Sequence, residues 1–415
     1  MSDSLLVRQP LFGTSGALLG YDIRFRDAED GRHAFAQSYL SGTFDLVRAK
    51  LPAYVPCSRG QLLEDAFQIA DATTVILVLP RDLEVDDEVI AAVTRYRERN
   101  GQIALSDITV EPAPVEALVP YASWLRFDMR SGDIVTLEIA RARIEALCAG
   151  ATLPRLVADH VVDLAAYEQA LELAVEAFQG EFFSRPEPLP ASDLPQSTMS
   201  AMRLMGLARD PNVNDRQLED VISADPVLMF QLLRLVNSAS VGMRGVSSIG
   251  QALRVIGRNS FMRWLAVAVA ASRKSTTGVD AELVRQAVER GRLMEQLAGG
   301  SREPGTLFLI GLFSLLDAVF RMPLPEIVSR VALSDDATEA LLERNGPYAD
   351  ALTFAESYEM GMFEYAGELA TAMGIDPDKV GGFYTSAIAW TSEALGSVLD
   401  AQVAAPSVAR ATARR

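Results

Sequence analysis

Four prolines within residues 184–196, SRPEPLPASDLPQ, constrain this chain more than any other stretch. Proline has no backbone N–H and a fixed φ, so neither a helix nor an interior strand runs through it. The stretch parts two regions with different apolar patterns. We therefore expect one domain over 1–190, a second over 191–400 and a disordered tail over 401–415.

Before the prolines, short β-type runs at 5–8 (LLVR), 74–79 (TVILVL), 102–105 (QIAL), 123–127 (SWLRF) and 155–158 (RLVA) alternate with helix-like stretches such as 86–99 and 165–178. This alternation predicts an α/β fold with a parallel sheet, open or closed into a barrel. The run at 74–79 is apolar on both faces, as a strand covered on both sides should be.

After the prolines the pattern is helical. Met199, Met202 and Met205 lie three apart, on the core face of a helix. Asp225-Pro226 is a helix start, with an N-cap aspartate followed by proline at the first helical position. The following VLMFQLLRLV, apolar nearly all round, belongs at the centre of a bundle. Ser248 to Gln251 forms an S-x-x-Q capping box. Further helices are predicted at 280–298, 304–320, 335–344, 349–373 and 376–397. The stretch 306–320, TLFLIGLFSLLDAVF, is too short to span a bilayer and contains Asp317, so it reads as a buried helix. Residues 1–20 lack the pattern of a secretory signal, and the expected location is the cytoplasm.

Candidates for chemistry are few. The two histidines, His33 and His160, both precede the prolines, so the helical half has no histidine base or histidine metal site. Cys57 and Cys148 form no metal-binding or disulfide pattern. Mononucleotide- and dinucleotide-binding loops are absent, as is a nucleophile elbow. Asp22, Asp107, Asp128 and Asp159 follow strand candidates, where a barrel places its functional groups; they also suit plain loop and capping roles. The net charge of −17 argues against general nucleic-acid binding. Yet residues 226–279 contain no Asp or Glu and carry Arg234, Arg244, Arg254, Arg258, Arg263, Arg273 and Lys274. This window either keeps an apolar helical region soluble or offers a surface to an acidic partner or a phosphate.

Two resemblances sharpen the reading. Gln179, Gly180, Phe182, Phe183, Ser184, Arg185 and Pro186, within FQGEFFSRP, resemble the closing signature of EAL domains, the barrels that hydrolyse cyclic di-GMP; Glu181 replaces an aromatic. The opening RQPLFGTSGALLGYDIRFR is similar to that family's first strand and its G-x-E-A-L-x-R segment, with Gly20 and Arg24 or Arg26 holding the frame. The resemblance covers about residues 5–190 and implies a TIM-like (β/α) barrel. It also implies where metal ligands would stand. The glutamate of the E-A-L tripeptide falls on Asp22 and the second-strand asparagine on Pro56. The third-strand glutamate falls on Val78 and the paired aspartates on Ser106 and Asp107. The lysine falls on Arg126, with Asp128 beyond it. The late A-E-x-V-E stretch becomes Ala158 to Val162, keeping Asp159 and losing its last glutamate at Val162; Gln179 persists. Arginine does not substitute for a lysine that organises a metal site.

LEDVISADPVLMFQLLRLVNSASVG with VSSIGQALRVIG resembles the HDOD domain, a helical relative of HD phosphohydrolases without their metal site. Asp225, Pro226, Leu232, Leu233, Asn237, Ser238, Ser248, Ile249, Ala252 and Gly257 carry that match. Ser314 and Leu315 stand where the His-Asp pair would be. Together the resemblances imply a bacterial signalling protein with a degenerate EAL domain fused to an HDOD domain. It is expected to be non-enzymatic, without metal or cofactor, and to act on other signalling proteins, with neither nucleic acid nor membrane as partner. The alternatives are a receptor that binds cyclic di-GMP without cutting it, and a residual phosphodiesterase.

Overall fold

The computed structural model describes residues 6–26, 31–130, 134–148, 153–184, 202, 204, 205, 207, 213–223, 248–271, 277–298, 302–331 and 333–403. Two compact units emerge, one of residues 1–185 with 358–363, the other of 186–357 with 364–415.

The first unit is a closed eight-stranded barrel. Its strands are β1 (Leu6–Gly13), β2 (Leu18–Phe25), β3 (Ala53–Pro56), β4 (Val75–Leu79), β5 (Gln102–Ile108), β6 (Trp124–Asp128), β7 (Arg155–Asp159) and β8 (Ala177–Phe178). β1 runs antiparallel to both β2 and β8, and every other neighbouring pair is parallel. Closure leaves no sheet edge exposed. Leu11, Tyr54, Ile76, Val78, Ala104, Trp124, Val157 and Ala177 fill the interior, large residues interleaved with small ones. Tyr54 and Trp124 meet edge to face at 5.9 Å. Capping follows the sequence: Asp86 accepts from the Val89 N–H at 2.9 Å and starts helix Asp87–Glu98.

One expected helix is shorter than its pattern. The stretch 165–178 is helical only over Leu164–Glu172, and Ala177-Phe178 becomes β8. Ala174 turns into the left-handed region at φ 53°, and the Glu176 N–H then bonds to the Leu156 carbonyl at 2.9 Å. Sheet closure outweighs local helix propensity there.

The second unit is helical. Its long elements are Ile249–Ala271, which is broken by a kink at Gly257 with φ 76°, Gly278–Glu295, Pro304–Phe313, Ala349–Glu359 and Val380–Val403. The 306–320 stretch is buried, apart from a partly exposed Asp317. It is two helices, Pro304–Phe313 and Leu316–Phe320, because Leu315 leaves helical geometry at φ −118°. The expected 349–373 helix is likewise two, Ala349–Glu359 and Phe363–Ala372, parted at Gly361 with φ 79°. The expected 376–397 helix starts as the short 3-10 turn Pro377–Lys379 and runs on to Val403, which includes the first residues of the expected tail. Met202 and Met205 are buried, as their spacing predicts. The Asp225-Pro226 start and the apolar helix after it lie outside the described residues. Among those described, no helix is long and apolar enough to cross a membrane.

Candidate functional site: the barrel mouth

At the carboxyl ends of the strands one side chain gathers the others. Arg126, on β6, is buried and carries the positive charge. Its Nε donates to Asp159 Oδ2 at 2.7 Å, and its Nη2 to Asp159 Oδ1 at 3.0 Å and Asp22 Oδ2 at 2.8 Å. The same Nη2 donates to Gln179 Oε1. That bond fixes the Gln179 amide, whose Nε2 donates onward to Gln9 Oε1 at 2.7 Å. The Arg126 guanidinium also lies 5.9 Å from the Tyr54 ring. Strands β1, β2, β6 and β7 and the end of β8 are thus joined through one guanidinium.

Burial opposes ionisation of both carboxylates, with different outcomes. At Asp22 the charges of Arg126 and Arg24 outweigh burial and hold the carboxyl below the usual range. Arg24 stands 3.8 Å away. At Asp159 burial outweighs the attraction of Arg126, the negative charge of Asp22 adds to it, and the carboxyl is pushed up. Burial pulls Arg126 down, but Asp159 and Asp22 more than reverse this and keep it charged.

The other candidate positions do not join this cluster. Val78 is part of the apolar interior, and Pro56 pairs with it across β3 and β4. The Ser106 hydroxyl donates to the Leu79 carbonyl at 3.2 Å. Asp107 is exposed, in the left-handed region at φ 54°, and its carbonyl accepts from Arg81 at 3.1 Å. Asp128 turns to Arg130, which donates Nε to Oδ1 at 3.0 Å and Nη2 to Oδ2 at 2.8 Å; His160 Nδ1 lies 3.3 Å away. Val162 is exposed, and so is Arg26. Sequence reasoning missed Gln9, which the β1–β2 register places opposite Asp22.

The FQGEFFSRP loop, described as far as Ser184, packs on Val161, on Phe12 and on Tyr167 of helix Leu164–Glu172. Gly180 lies against Val161, whose N–H bonds to the Gln179 carbonyl at 3.0 Å and whose carbonyl accepts from the Phe182 N–H at 2.9 Å. Phe182 stacks on Tyr167 at 4.7 Å, and Phe183 packs on Phe12 at 4.6 Å. Arg185 is outside the described residues.

In the helical unit, Ser314 accepts from Arg290 Nη1 at 2.8 Å and donates to the Gly311 carbonyl at 2.7 Å. Of the basic window, Arg254 is exposed, and Arg263 is ion-paired with Glu295 and so is not a free surface cation. The Arg258 side chain, Arg234, Arg244, Arg273 and Lys274 are outside the described residues.

A closed barrel with a charged cluster at the carboxyl ends of its strands, followed by a helical region, is the class of molecule this architecture defines. Residues 194–339 match the model of the HDOD domain. The Vibrio cholerae protein named Cyclic di-GMP phosphodiesterase CdgJ is 26% identical over 95% of this chain and 93% of its own length. YuxH of Bacillus subtilis is 23% identical over 93% of this chain and 97% of its own. Among solved structures, the PaMucR phosphodiesterase in complex with c-di-GMP covers 46% of this chain and 98% of its own, at 15% identity and a TM-score of 0.35.

Proposed function

We propose that this chain is a non-catalytic signal-transduction protein, an EAL-type barrel without phosphodiesterase activity joined to an HDOD domain that acts through protein–protein contacts. The observation that carries the reading is the Arg126 guanidinium between Asp22 and Asp159. A divalent ion such as Mg²⁺ takes about six oxygen ligands in near-octahedral geometry. Here Pro56, Val78 and Val162 offer no side-chain oxygen. Asp22 and Asp159 already neutralise an internal cation, and Asp128 is paired with Arg130. Among the described residues no group of three or more His, Cys, Asp or Glu is placed to hold a metal. The residues present therefore do not fit a divalent-metal pair.

The name of the Vibrio relative favours a second reading, hydrolysis of cyclic di-GMP. One experiment separates the two. The purified full chain is incubated with cyclic di-GMP and excess Mg²⁺ or Mn²⁺, and the linear dinucleotide product is followed. We expect no metal-dependent product; turnover that depends on the metal and is lost on chelation establishes the phosphodiesterase. Calorimetry on the same protein addresses the receptor alternative, and we expect a flat trace because Arg126 is already committed to two carboxylates.

For the helical half, the exposed Arg254 in an acid-free window supports an acidic partner surface. Arg254→Glu is expected to lose proteins retained by the wild type in affinity capture from the native cell. An unchanged set of retained proteins removes that surface from the model.

A further inference from the structure

A second arginine cluster, in the helical unit, holds more positive charge than its neighbours neutralise. Arg263 projects from helix Ile249–Ala271 and Arg292 from helix Gly278–Glu295. Both pair through Nη1 with one buried carboxylate, Glu295, on its two oxygens. Among the described residues Glu295 is the one carboxylate paired with either arginine. The helix that carries Arg263 cannot supply another, since 226–279 contains no acid. Two cations thus face one anion at a half-buried site. Burial pulls both guanidinium groups below the usual arginine range, and at Arg263 the neighbouring Arg292 adds to it.

The Arg292 Nε is buried and so closed to a ligand, which leaves its Nη edge to meet one. Ser260 Oγ, which accepts from Arg263 Nη2 at 3.0 Å, still has its own proton to donate. Trp390 forms an adjoining wall. Its ring lies 5.6 Å from the Arg292 guanidinium carbon and is backed by Trp264 at 5.0 Å and Phe308 at 6.2 Å.

We propose that Arg263, Arg292 and the Ser260 hydroxyl form a binding site for a phosphate group, with Trp390 as the wall against which the substituent of a phosphomonoester rests. Guanidinium forks match phosphate oxygens in geometry as well as charge. A tetrahedral anion can take donors from two helices at once, whereas Glu295 already uses the Nη1 edges. The site is separate from the barrel mouth and does not depend on whether the barrel hydrolyses anything.

The test is calorimetry on the full chain at constant ionic strength in phosphate-free buffer, with inorganic phosphate and phenyl phosphate as probes. Saturable binding is expected, tighter for phenyl phosphate. Arg263→Gln and Arg292→Gln should each weaken it by about tenfold or more, the scale of one lost charge-assisted hydrogen bond. Trp390→Ala should erase the preference for the phenyl ester over inorganic phosphate. Glu295→Gln should tighten binding, because it removes the competing carboxylate. Thermal melts check that each variant is folded, and Arg263→Met and Arg292→Met, which also remove the charge, replace any glutamine variant that is not. No saturable heat with either probe overturns the proposal. So does affinity unchanged in the folded arginine variants, or a Glu295→Gln variant that melts lower and binds no better than the wild type.

Discussion

Replacing Arg126 by methionine is expected to destabilise the barrel unit by about 3–5 kcal/mol, the usual effect of removing one partner from a buried ion pair. Methionine fills similar volume, so the loss is electrostatic rather than a cavity. Asp159 would lose the arginine paired with it, Asp22 would keep only the more distant Arg24 at 3.8 Å, and Gln179 would lose the donor that orients it. The effect has a pH signature with a definite sign. Without Arg126, burial and mutual repulsion raise both carboxyl pKa values in the folded state above the unfolded value of about 4. A group whose folded pKa is raised destabilises the fold when ionised, and acidification relieves this. In the wild type Asp22 is held low and behaves oppositely, its contribution being lost as the pH falls through its depressed pKa. The stability gap between wild type and Arg126→Met should therefore be widest near pH 7 and narrow towards pH 4. Urea unfolding across that range measures it. A gap that is small at pH 7, or that does not change with pH, contradicts the view of Arg126 as the cation that holds the mouth together.

Gly180→Ala is expected to destabilise the same unit by roughly 2–5 kcal/mol, the sum of overpacking and backbone strain. A Cβ at position 180 would stand 2.2 Å from the Val161 carbonyl oxygen and 2.4 Å from the Val161 nitrogen, both backbone atoms, at φ +151°. Relief requires separating the loop from Val161 and with it the two hydrogen bonds that seat Phe182 and Gln179. Gly42→Ala is the control. Its φ of +78° is also positive, but nothing lies within 4 Å of the added Cβ, so the expected loss is only about 1 kcal/mol. Thermal melts that rank the two variants equally would place the effect in backbone conformation alone, and not in the close packing of the loop.

Much of the architecture was legible before any coordinate. The strand runs near 74, 102, 123 and 155 start within one residue of β4 to β7, although β5 continues three residues past its expected end, because a strand covered on both faces is a dense apolar run of limited length. β8 was not legible. Its two residues sit at the end of a helical pattern and become a strand only because β7 and β1 are there to pair with them. The break at Leu315 was hidden in the same way, inside an unbroken apolar run. At the mouth, Pro56 and Val78 are visible in sequence as positions without an oxygen donor. Arg126 reads there only as an arginine where a lysine would be expected.

The sequence by itself determined the two-part plan, the alternation of strand and helix in the first part, the helical second part and the absence of oxygen donors at Pro56 and Val78. These follow from local covalent chemistry and from periodicities a few residues long. The tertiary structure alone decided that Arg126 reaches Asp159, 33 residues away, and Asp22, 104 residues away. It likewise joined Arg263 to Glu295 across 32 residues. Which charges neutralise each other depends on barrel closure and helix packing, and the energy of such a pair is set by distance and burial that no local pattern encodes.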